Sequence, residues 1–281
     1  MPAKTEISVL LPASLVADTS DLRMVTIKVG MVGRALAIFR VERVCIYDDE
    51  DPNVEDQEEQ ARTIELLLSY LETPQYLRKI LFPRSRKLRY AGLLFPLRTP
   101  HHPLQNERNK KGDYREGVVI DSGERSILEI GLPKKGIFDG KLPLKQRLTV
   151  RLGDSDGDFI RVEPVSRREI SEYWGFKILR APSLSEGLKA VKSDYYIGTS
   201  RRGQNLYEAV QAIKSSEPRR VAVAFGGPYA GLFEICWRQG VDASEMFDVI
   251  VNAVPNQGTA TVRTEEALLA TLSLLNALIE G

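Results

Sequence analysis

The sequence predicts an α/β protein whose parallel sheet is built from both ends of the chain and is interrupted by a small all-β insert. Strand, helix and strand patterns follow one another at 7–11, 21–39 and 41–47. The same alternation returns from about residue 173 and continues to a final helix, for which Thr264 is the expected N-cap. Between them, short strand-like runs alternate with Gly and Asp turns. We therefore assign 1–95 and 173–281 to one discontinuous domain and 96–172 to the insert.

The N-terminal half of the sheet is predicted from apolar spacing. Leu22, Val25, Val29, Val32 and Leu36 recur at helical intervals between two apolar strands. The second strand ends in the acidic run 48–51, whose carboxylates are of a type that binds hard cations. We favour a solvated loop that leads into a helix at 56–71.

A strongly basic stretch follows this helix. Residues 78–115 contain eleven Lys or Arg and two acids, a net charge of +9, and Tyr76, Phe82, Tyr90 and Phe95 are interleaved with them or lie beside them. This pattern favours contacts with nucleic-acid phosphates and stacked bases. The candidate RNA-binding residues are Arg84, Arg86, Lys87, Arg89, Lys110 and Lys111. The alternative is a basic surface loop whose aromatic residues belong to the core.

The insert has strand-like runs at 117–120, 126–130, 147–152 and 159–162. Short strands spaced by about ten residues predict a small barrel, and five-stranded modules of this kind are often OB-like and bind single-stranded nucleic acid. The acidic run 154–158 resembles part of a calcium loop but lacks the later Glu, so we expect a hairpin turn.

Three loops in the C-terminal half follow apolar strands, at 198–203, 226–231 and 252–258. The strand before the third, 249–251, is expected to be buried on both faces. Ligands of open α/β sheets bind where such strands end. The Gly226 loop departs from G-x-G-x-x-G, and neither a Walker A motif nor G-x-S-x-G is present. We expect an uncharged pocket rich in backbone groups, suited to a nucleoside or amino-acid-like cofactor. Three ordinary turn loops are the alternative.

Composition limits the other possibilities. The net charge is +1, and the only histidines, His101 and His102, lie between prolines, which favours an ordered loop over acid–base chemistry. Cys45 and Cys236 are expected to be buried free thiols in a reducing compartment. With so few Cys and His, no metal centre is expected. No signal peptide or membrane span is indicated, so we expect a cytoplasmic protein without a membrane partner.

The order of several motifs makes the chain resemble a known class. They are 70–79 (YLETPQYLRK), 91–94 (AGLL) through to Pro100-His101-His102, 198–203 (GTSRRG), 225–227 (FGG), 255–258 (PNQG) and 262–267 (VRTEEA). Together they cover nearly the whole chain. It resembles the SPOUT class of RNA methyltransferases, and within it the archaeal and eukaryotic group that carries an inserted β domain.

This resemblance implies a C-terminal trefoil knot, a homodimer in which the last helix takes part, and S-adenosylmethionine bound in the knotted loops. The implied cofactor-binding residues are Thr199, Arg202, Gly226, Gly227, Asn252, Ala253, Val254, Pro255, Gln257, Gly258 and Thr264. Arg202 is also the implied catalytic residue, aligning the target base or the cofactor carboxylate. Pro228-Tyr229-Ala230 replaces an acidic residue of some SPOUT branches, so no general base is identified.

The resemblance further implies methyl transfer to a nucleotide of structured RNA, with ribosomal RNA the expected substrate. The alternative is a non-catalytic RNA-binding protein that keeps the same fold. A methyltransferase that acts on protein is disfavoured by the basic stretch.

Overall fold

The structure, a computed structural model, describes residues 5–279. Internal contacts divide it into two compact units. The first contains the described residues up to Ser69, Tyr90–Phe95 and those from Phe176 onward; the second contains Tyr70–Arg89 and Pro96–Gly175. The second unit therefore includes a segment before the insert proposed from sequence, in addition to 96–172.

The first unit opens with a strand–helix–strand motif followed by a helix. These elements are β1 (Glu6–Pro12), α1 (Leu22–Ile38), β2 (Val41–Tyr47) and α2 (Gln57–Glu72), whose end belongs to the second unit. Asp21 caps α1 by accepting a hydrogen bond from the Arg23 backbone N–H. Its apolar positions Val25, Val29, Val32 and Leu36 are buried, as their spacing predicts.

The second unit is a short helix and a closed five-stranded barrel. Its elements are α3 (Gln75–Leu81), β3 (Tyr114–Ser122), β4 (Ser126–Glu129), β5 (Lys135–Phe138), β6 (Arg147–Asp156) and β7 (Phe159–Pro164). The barrel order is β3-β4-β5-β7-β6, in which β5 and β7 run parallel. Strand β5 was not predicted, because Lys-Gly-Ile-Phe carries only two apolar side chains. The hairpin turn expected at 154–158 is present between β6 and β7.

The rest of the first unit alternates strands and helices to the end of the described chain. These elements are β8 (Lys177–Ala181), α4 (Leu184–Val191), β9 (Tyr195–Asn205), α5 (Leu206–Ser215), β10 (Arg220–Ala224), α6 (Leu232–Arg238), α7 (Ala243–Met246), β11 (Val249–Asn252) and α8 (Thr264–Ile279). Helices α6 and α7 were not predicted from the sequence.

The sheet of the first unit is wholly parallel, with the order β11-β9-β10-β1-β2-β8. Strands from both ends of the chain therefore lie side by side at its centre, where β1 pairs with β10. Val221 to Ala224 are almost fully buried, as expected for a central strand covered on both faces. The prediction that 249–251 is buried on both faces is wrong, because β11 is an edge strand and Val249 and Ile250 are only half-buried.

The acidic run after β2 is also different from the prediction of a solvated loop. Asp49 and Asp51 are buried. Asp49 accepts hydrogen bonds from the backbone N–H and hydroxyl of Ser14, at 3.0 and 2.6 Å. Burial raises the pKa of the Asp49 carboxyl, and these two hydrogen bonds oppose that rise. Asp49 of the acidic run thus stabilises the segment after β1 through hydrogen bonds to Ser14.

Cys45 and Cys236 are both free and buried, as predicted. Burial raises the pKa of the Cys45 thiol to about 12 and that of Cys236 to about 11, so both stay protonated.

Within residues 5–279, no helix combines the length and apolar character needed to cross a membrane.

Candidate functional site

A cavity of about 600 Å³ lies at the carboxyl ends of β9, β10 and β11. Its walls come mainly from the later part of β9 (199–202), the end of β11 with the residues after it (251–254), and the segments 225–231 and 260–264. Lys28 of α1 and Asp18 lie on one side. The volume lies within the range of about 300–1,000 Å³ typical of small-molecule sites. The position is the one at which open α/β sheets place their ligands, beside the point where the strand order reverses.

A long bulge in β9 brings one wall to the cavity. Ile197 and Gly198 pair with Val249 and Ile250, but the next residue of β11, Val251, pairs with Gln204. The five residues 199–203 therefore leave the sheet between two consecutive partners on β11. A Cβ on Gly203 would stand 2.5 Å from the Val251 carbonyl carbon, so this bulge closes only with a glycine there.

Three hydroxyl groups fix the backbone at the end of β10. Thr199 donates to the Ala224 carbonyl (2.8 Å), Tyr47 to Phe225 (2.6 Å) and Thr264 to Gly226 (2.9 Å). The donors come from β9, β2 and α8, three elements far apart in sequence. Three successive carbonyls are thus satisfied by side chains, and the loop that follows starts from a fixed position.

The Gly226-Gly227 pair has no room for side chains. A Cβ on Gly226 would lie 2.8 Å from the Gly231 Cα, and one on Gly227 would lie 2.3 Å from the Ser14 hydroxyl. Ser14 cannot move away freely, because Asp49 holds it by two hydrogen bonds. The glycines therefore fold the 226–231 loop tightly on itself, with its backbone lining the cavity.

The amides of the third loop shape the backbone. Asn252 donates from Nδ2 to the Arg201 carbonyl at 3.0 Å and accepts from the Val254 N–H at 2.9 Å. Gln257 donates to the carbonyls of Thr259 and Ala260 at 2.9 and 3.2 Å. Gln257 therefore stabilises the third loop from within. Asn252 does the same and also ties this loop to the Arg201 backbone of β9.

The cavity brings together nine of the eleven cofactor-binding positions that the resemblance implies. These are Thr199, Arg202, Gly226, Gly227, Asn252, Ala253, Val254, Gln257 and Thr264. Pro255 and Gly258 are exposed and lie outside the lining. Thr264 is not the N-cap of α8: it is the first helical residue, and the Arg263 carbonyl accepts the first helical bond, from Ala267.

Two groups of charged residues at the cavity were not predicted from the sequence: one of three residues and one pair. Lys28 contacts Asp18 at 2.7 Å and Glu265 at 3.4 Å, and all but Asp18 are buried. At the rim, Arg202 and Glu234 stand 3.5 Å apart and are both exposed. The apolar spacing of α1 carries no signal for Lys28, which lies on its buried side.

Thr271 of α8 also lines the cavity. It is fully buried, and its hydroxyl has no hydrogen-bond partner within the described structure. A buried polar atom without a partner is uncommon, and one that faces a cavity is available to a polar ligand atom.

Comparison with known proteins shows the family of this chain. The model of a family described as "Putative RNA methyltransferase" matches residues 6–275. Proteins named 28S rRNA (uridine-N(3))-methyltransferase from Homo sapiens and Mus musculus are 34% and 33% identical, over 96% of this chain and 77% and 75% of their own lengths. The chain belongs to this family of RNA methyltransferases. A protein of the same name from Drosophila melanogaster is 32% identical over 98% of this chain and 62% of its own length.

Some basic residues of the 78–115 stretch of this RNA methyltransferase support the fold, and others are exposed. Arg115 is fully buried and donates to the carbonyls of Glu107, Arg108, Ile130 and Gly131, and Arg78 donates to those of Leu71 and Thr73. These two arginines support the second unit and are not free to contact RNA. The exposed candidates are Arg84, Arg86, Arg89, Lys110 and Lys111, whereas Lys87 is half-buried. Lys111 also contacts Asp154 at 2.6 Å.

The two histidines of the methyltransferase lie in the second unit, where they contact backbone groups. His101 and His102 both lie within hydrogen-bond distance of the Glu72 carbonyl, at 3.0 and 2.7 Å. Burial, together with the neighbouring His101, lowers the pKa of His102 to about 3, so it is neutral at physiological pH. Neither residue lines the cavity, which agrees with the preference for an ordered loop. In the described residues, no group of three or more His, Cys, Asp or Glu is placed to hold a metal ion.

Proposed function

We propose that this enzyme uses S-adenosylmethionine to methylate N3 of a uridine in ribosomal RNA. Three relatives that are 32–34% identical carry names stating this atom and this class of RNA. The observation that carries the cofactor part is the cavity at the ends of β9, β10 and β11, because it joins nine of the implied cofactor positions in one site.

The chemistry of the cavity fits this cofactor. Its volume of about 600 Å³ suits a nucleoside with an amino-acid arm. Gly226 and Gly227 bring bare backbone to the wall, where peptide groups serve the adenosine, and residues 252–254 form the opposite side. The unpaired hydroxyl of Thr271 offers a further polar contact. Bound here, S-adenosylmethionine supplies a methyl group already activated by its positively charged sulfur.

The protein's contribution is mainly positional. Holding the acceptor in line with the methyl group supplies much of the rate of such transfers. Thr199 and Thr264 fix the loop backbone beneath the site, and Arg202 at the rim is placed to orient the target base. Its guanidinium donates to carbonyl oxygens, which uracil has on both sides of N3.

We extend the proposal to the SPOUT class, with a trefoil knot in the segment from β11 to α8. In support, the segments after the three strands are tied together by long-range bonds, from Asn252 to the Arg201 carbonyl and from Thr264 to the Gly226 carbonyl. Knots are rare among folds, so this part of the proposal starts from the class resemblance.

We also propose that the enzyme is a homodimer. Met24, Met31 and Ile38 lie seven residues apart on α1, and each is about half exposed. Two turns of helix separate such residues, so they form one apolar stripe on the surface. Leu269 of α8, which packs beside α1, is 47% exposed. A patch of this kind suits a two-fold interface with a second copy.

For RNA, we propose that the barrel is OB-like and that the exposed basic residues of the second unit contact phosphates. The closed order β3-β4-β5-β7-β6 has the five strands of that class. Arg84, Arg86, Lys87, Arg89, Lys110 and Lys111 remain the candidates. Contacts of this type weaken steeply with salt.

The test is nucleoside mass spectrometry of ribosomal RNA incubated with the protein and S-adenosylmethionine that carries a deuterated methyl group. We expect labelled 3-methyluridine and no other labelled nucleoside. Label on another atom or nucleoside would overturn the uridine-N3 assignment. Unlabelled RNA, with cofactor binding demonstrated by calorimetry, would overturn the proposed substrate.

A further inference from the structure

Methylation at uridine N3 requires that the N3 proton be removed, and the sulfonium donor does not accept it. The nitrogen carries a proton and lies between two carbonyl groups, so its in-plane electron pair becomes available only when that proton leaves. A suitable acceptor must reach the base at the mouth of the cavity. The following inference rests on the proposed function and names the group that takes this proton.

Few groups around the cavity can do so. Its lining contains neither histidine nor cysteine, and its only carboxylates within the described residues are Asp18 and Glu234. Asp18 holds the buried ammonium of Lys28 at 2.7 Å. Removing Asp18 from that contact would leave Lys28 buried with only Glu265, at 3.4 Å. Asp18 is therefore needed as the partner of the buried Lys28 ammonium.

Glu234 has the opposite surroundings. It lies in α6 next to the cavity-lining loop 226–231, and its side chain is 49% exposed. A Cβ placed on Gly231 would be 2.9 Å from its Oε2, so the side chain is folded back over that loop. The buried residues Leu232, Ile235 and Cys236 anchor the helix on its other face. The carboxylate is thus held at the rim and remains accessible.

Arg202 completes the arrangement. Its Nη2 lies 3.5 Å from Glu234 Oε1, beyond the distance of a strong charged hydrogen bond, and its side chain is 64% exposed. The edge of uracil at N3 presents acceptor, donor and acceptor in turn. A guanidinium beside a carboxylate presents a donor for one of these carbonyl groups and an acceptor for the N–H. Cytosine has no proton on N3, so it offers this pair a different pattern.

We propose that Glu234 accepts the N3 proton of the target uracil while Arg202 donates to an adjacent carbonyl oxygen. The N3–H bond breaks and its proton moves to the Glu234 carboxylate. The electron pair left on N3 forms the new bond to the methyl carbon, and the carbon–sulfur bond breaks with its electrons moving to sulfur. The products are 3-methyluridine, a neutral thioether and protonated Glu234, which releases its proton to water.

Glu234→Gln tests the proposal, because it keeps the shape of the side chain and removes the proton acceptor. We expect methyl transfer at pH 7 to fall about 100-fold or more. The affinities for S-adenosylhomocysteine and for a uridine-containing rRNA fragment should stay within about threefold of wild type. The deficit should shrink at alkaline pH, where the uracil imide ionises without help. Glu208→Gln, an exposed glutamate in the first turn of α5, is the matched control and should retain full activity.

Glu234→Asp keeps a carboxylate on a shorter arm and should retain more activity than Glu234→Gln. Wild-type activity in Glu234→Gln would overturn the proposal, as would a deficit that is equally large at every pH. Circular dichroism checks that both variants fold. If the wild-type enzyme makes no 3-methyluridine, the proposed function fails. If it makes 3-methyluridine but Glu234→Gln is unaffected, only the present inference fails.

Discussion

The hydroxyl of Thr264 donates to the carbonyl of Gly226 over 2.9 Å, which joins the first residue of α8 to the loop after β10. Thr264→Val keeps the size of the side chain but leaves this carbonyl without its partner. An unsatisfied buried polar group costs about 1–3 kcal/mol, and the half-buried Gly226 lies at the lower end of that range. We expect the affinity for S-adenosylmethionine to fall about 5- to 10-fold by calorimetry, together with a small loss of thermal stability.

The control for this change is Ser273→Ala, an exposed position on the same helix. It should bind the cofactor as wild type does. Equal affinities for Thr264→Val and the control would show that the contact does not shape the site.

Gly227→Ala tests the tight fold of the same loop. The added methyl group would stand 2.3 Å from the Ser14 hydroxyl, which Asp49 holds in place. The loop must therefore move, and we expect a loss of cofactor affinity greater than 10-fold. At Gly92, also in the first unit, an added Cβ meets nothing within 4 Å, so Gly92→Ala is the control and should bind normally. Normal binding by Gly227→Ala would argue against a ligand on this loop.

The second unit should lose stability in acid. Arg147 contacts the buried carboxylates of Glu72 and Glu116, each at 2.6 Å. Burial alone would raise the pKa of Glu72, but the Arg147 guanidinium and His101 outweigh it and lower that pKa to about 2. Because the folded-state pKa lies below the ordinary value of about 4.5, the stabilisation is complete above pH 4.5 and is lost as the pH falls towards 2. It amounts to about 3 kcal/mol.

Tryptophan fluorescence can follow this unit alone. Trp174 donates to Glu116 at 2.7 Å, and the other tryptophan of the chain is Trp237. In a Trp237→Phe background, urea unfolding should show a clearly lower midpoint at pH 3 than at pH 6. Adding Arg147→Met should destabilise the unit by about 3 kcal/mol at pH 6, because the two buried carboxylates keep only the more distant Arg167, at 3.5 and 3.6 Å. A midpoint that does not change with pH would contradict this account of the network.

Trp237 is the most exposed of the large apolar side chains described, at 82%. It follows Phe233 and Glu234, which line the cavity, by one turn of α6. A base next to the target could stack on it, which is worth about 1–3 kcal/mol per base. We expect Trp237→Ala to weaken RNA binding at least fivefold in fluorescence anisotropy, with thermal stability unchanged. Tyr207→Ala, an exposed aromatic on α5, is the control, and an equal effect of both would refute a specific role.

Met31→Glu tests the homodimer by placing a charge in the middle of the α1 stripe. Light scattering coupled to size exclusion should give twice the chain mass for wild type and a shift towards the chain mass of 31.5 kDa for the variant. Leu144→Glu changes an exposed leucine of the second unit and should remain dimeric. A monomeric wild-type protein would contradict the proposal.

The sequence predicted the sheet well where strands are apolar and helices have a regular buried face, as in α1 and β10. It missed β5 and placed β11 in the interior, because apolar letters do not tell an edge strand from a central one. The sequence also predicted a pocket formed by the segments near 198–203, 226–231 and 252–258, and residues of all three line one cavity. The hydrogen-bonding roles of Thr199, Asn252 and Thr264 could not be read in advance, since each depends on a partner more than 20 residues away.

The charged pairs at the cavity show a second limit. Lys28 lies on the buried side of α1, and Glu234 lies in a helix that was not predicted. Arg202 is 32 residues from Glu234 in sequence, and the loop that carries Asp18 reaches back to Lys28 only in the folded structure. A general base could therefore not be named from motifs, and the buried Asp49 and Asp51 were mistaken for solvated residues for the same reason.

The central claim is that the cavity at the ends of β9, β10 and β11 holds the methyl donor. A crystal structure of the full chain with S-adenosylhomocysteine tests it most directly. We expect the ligand between the Thr199–Arg202 segment, the Gly226–Gly231 loop and residues 252–254, with a polar atom near the Thr271 hydroxyl. Ligand density elsewhere, with these loops unchanged and this cavity open, would contradict the claim.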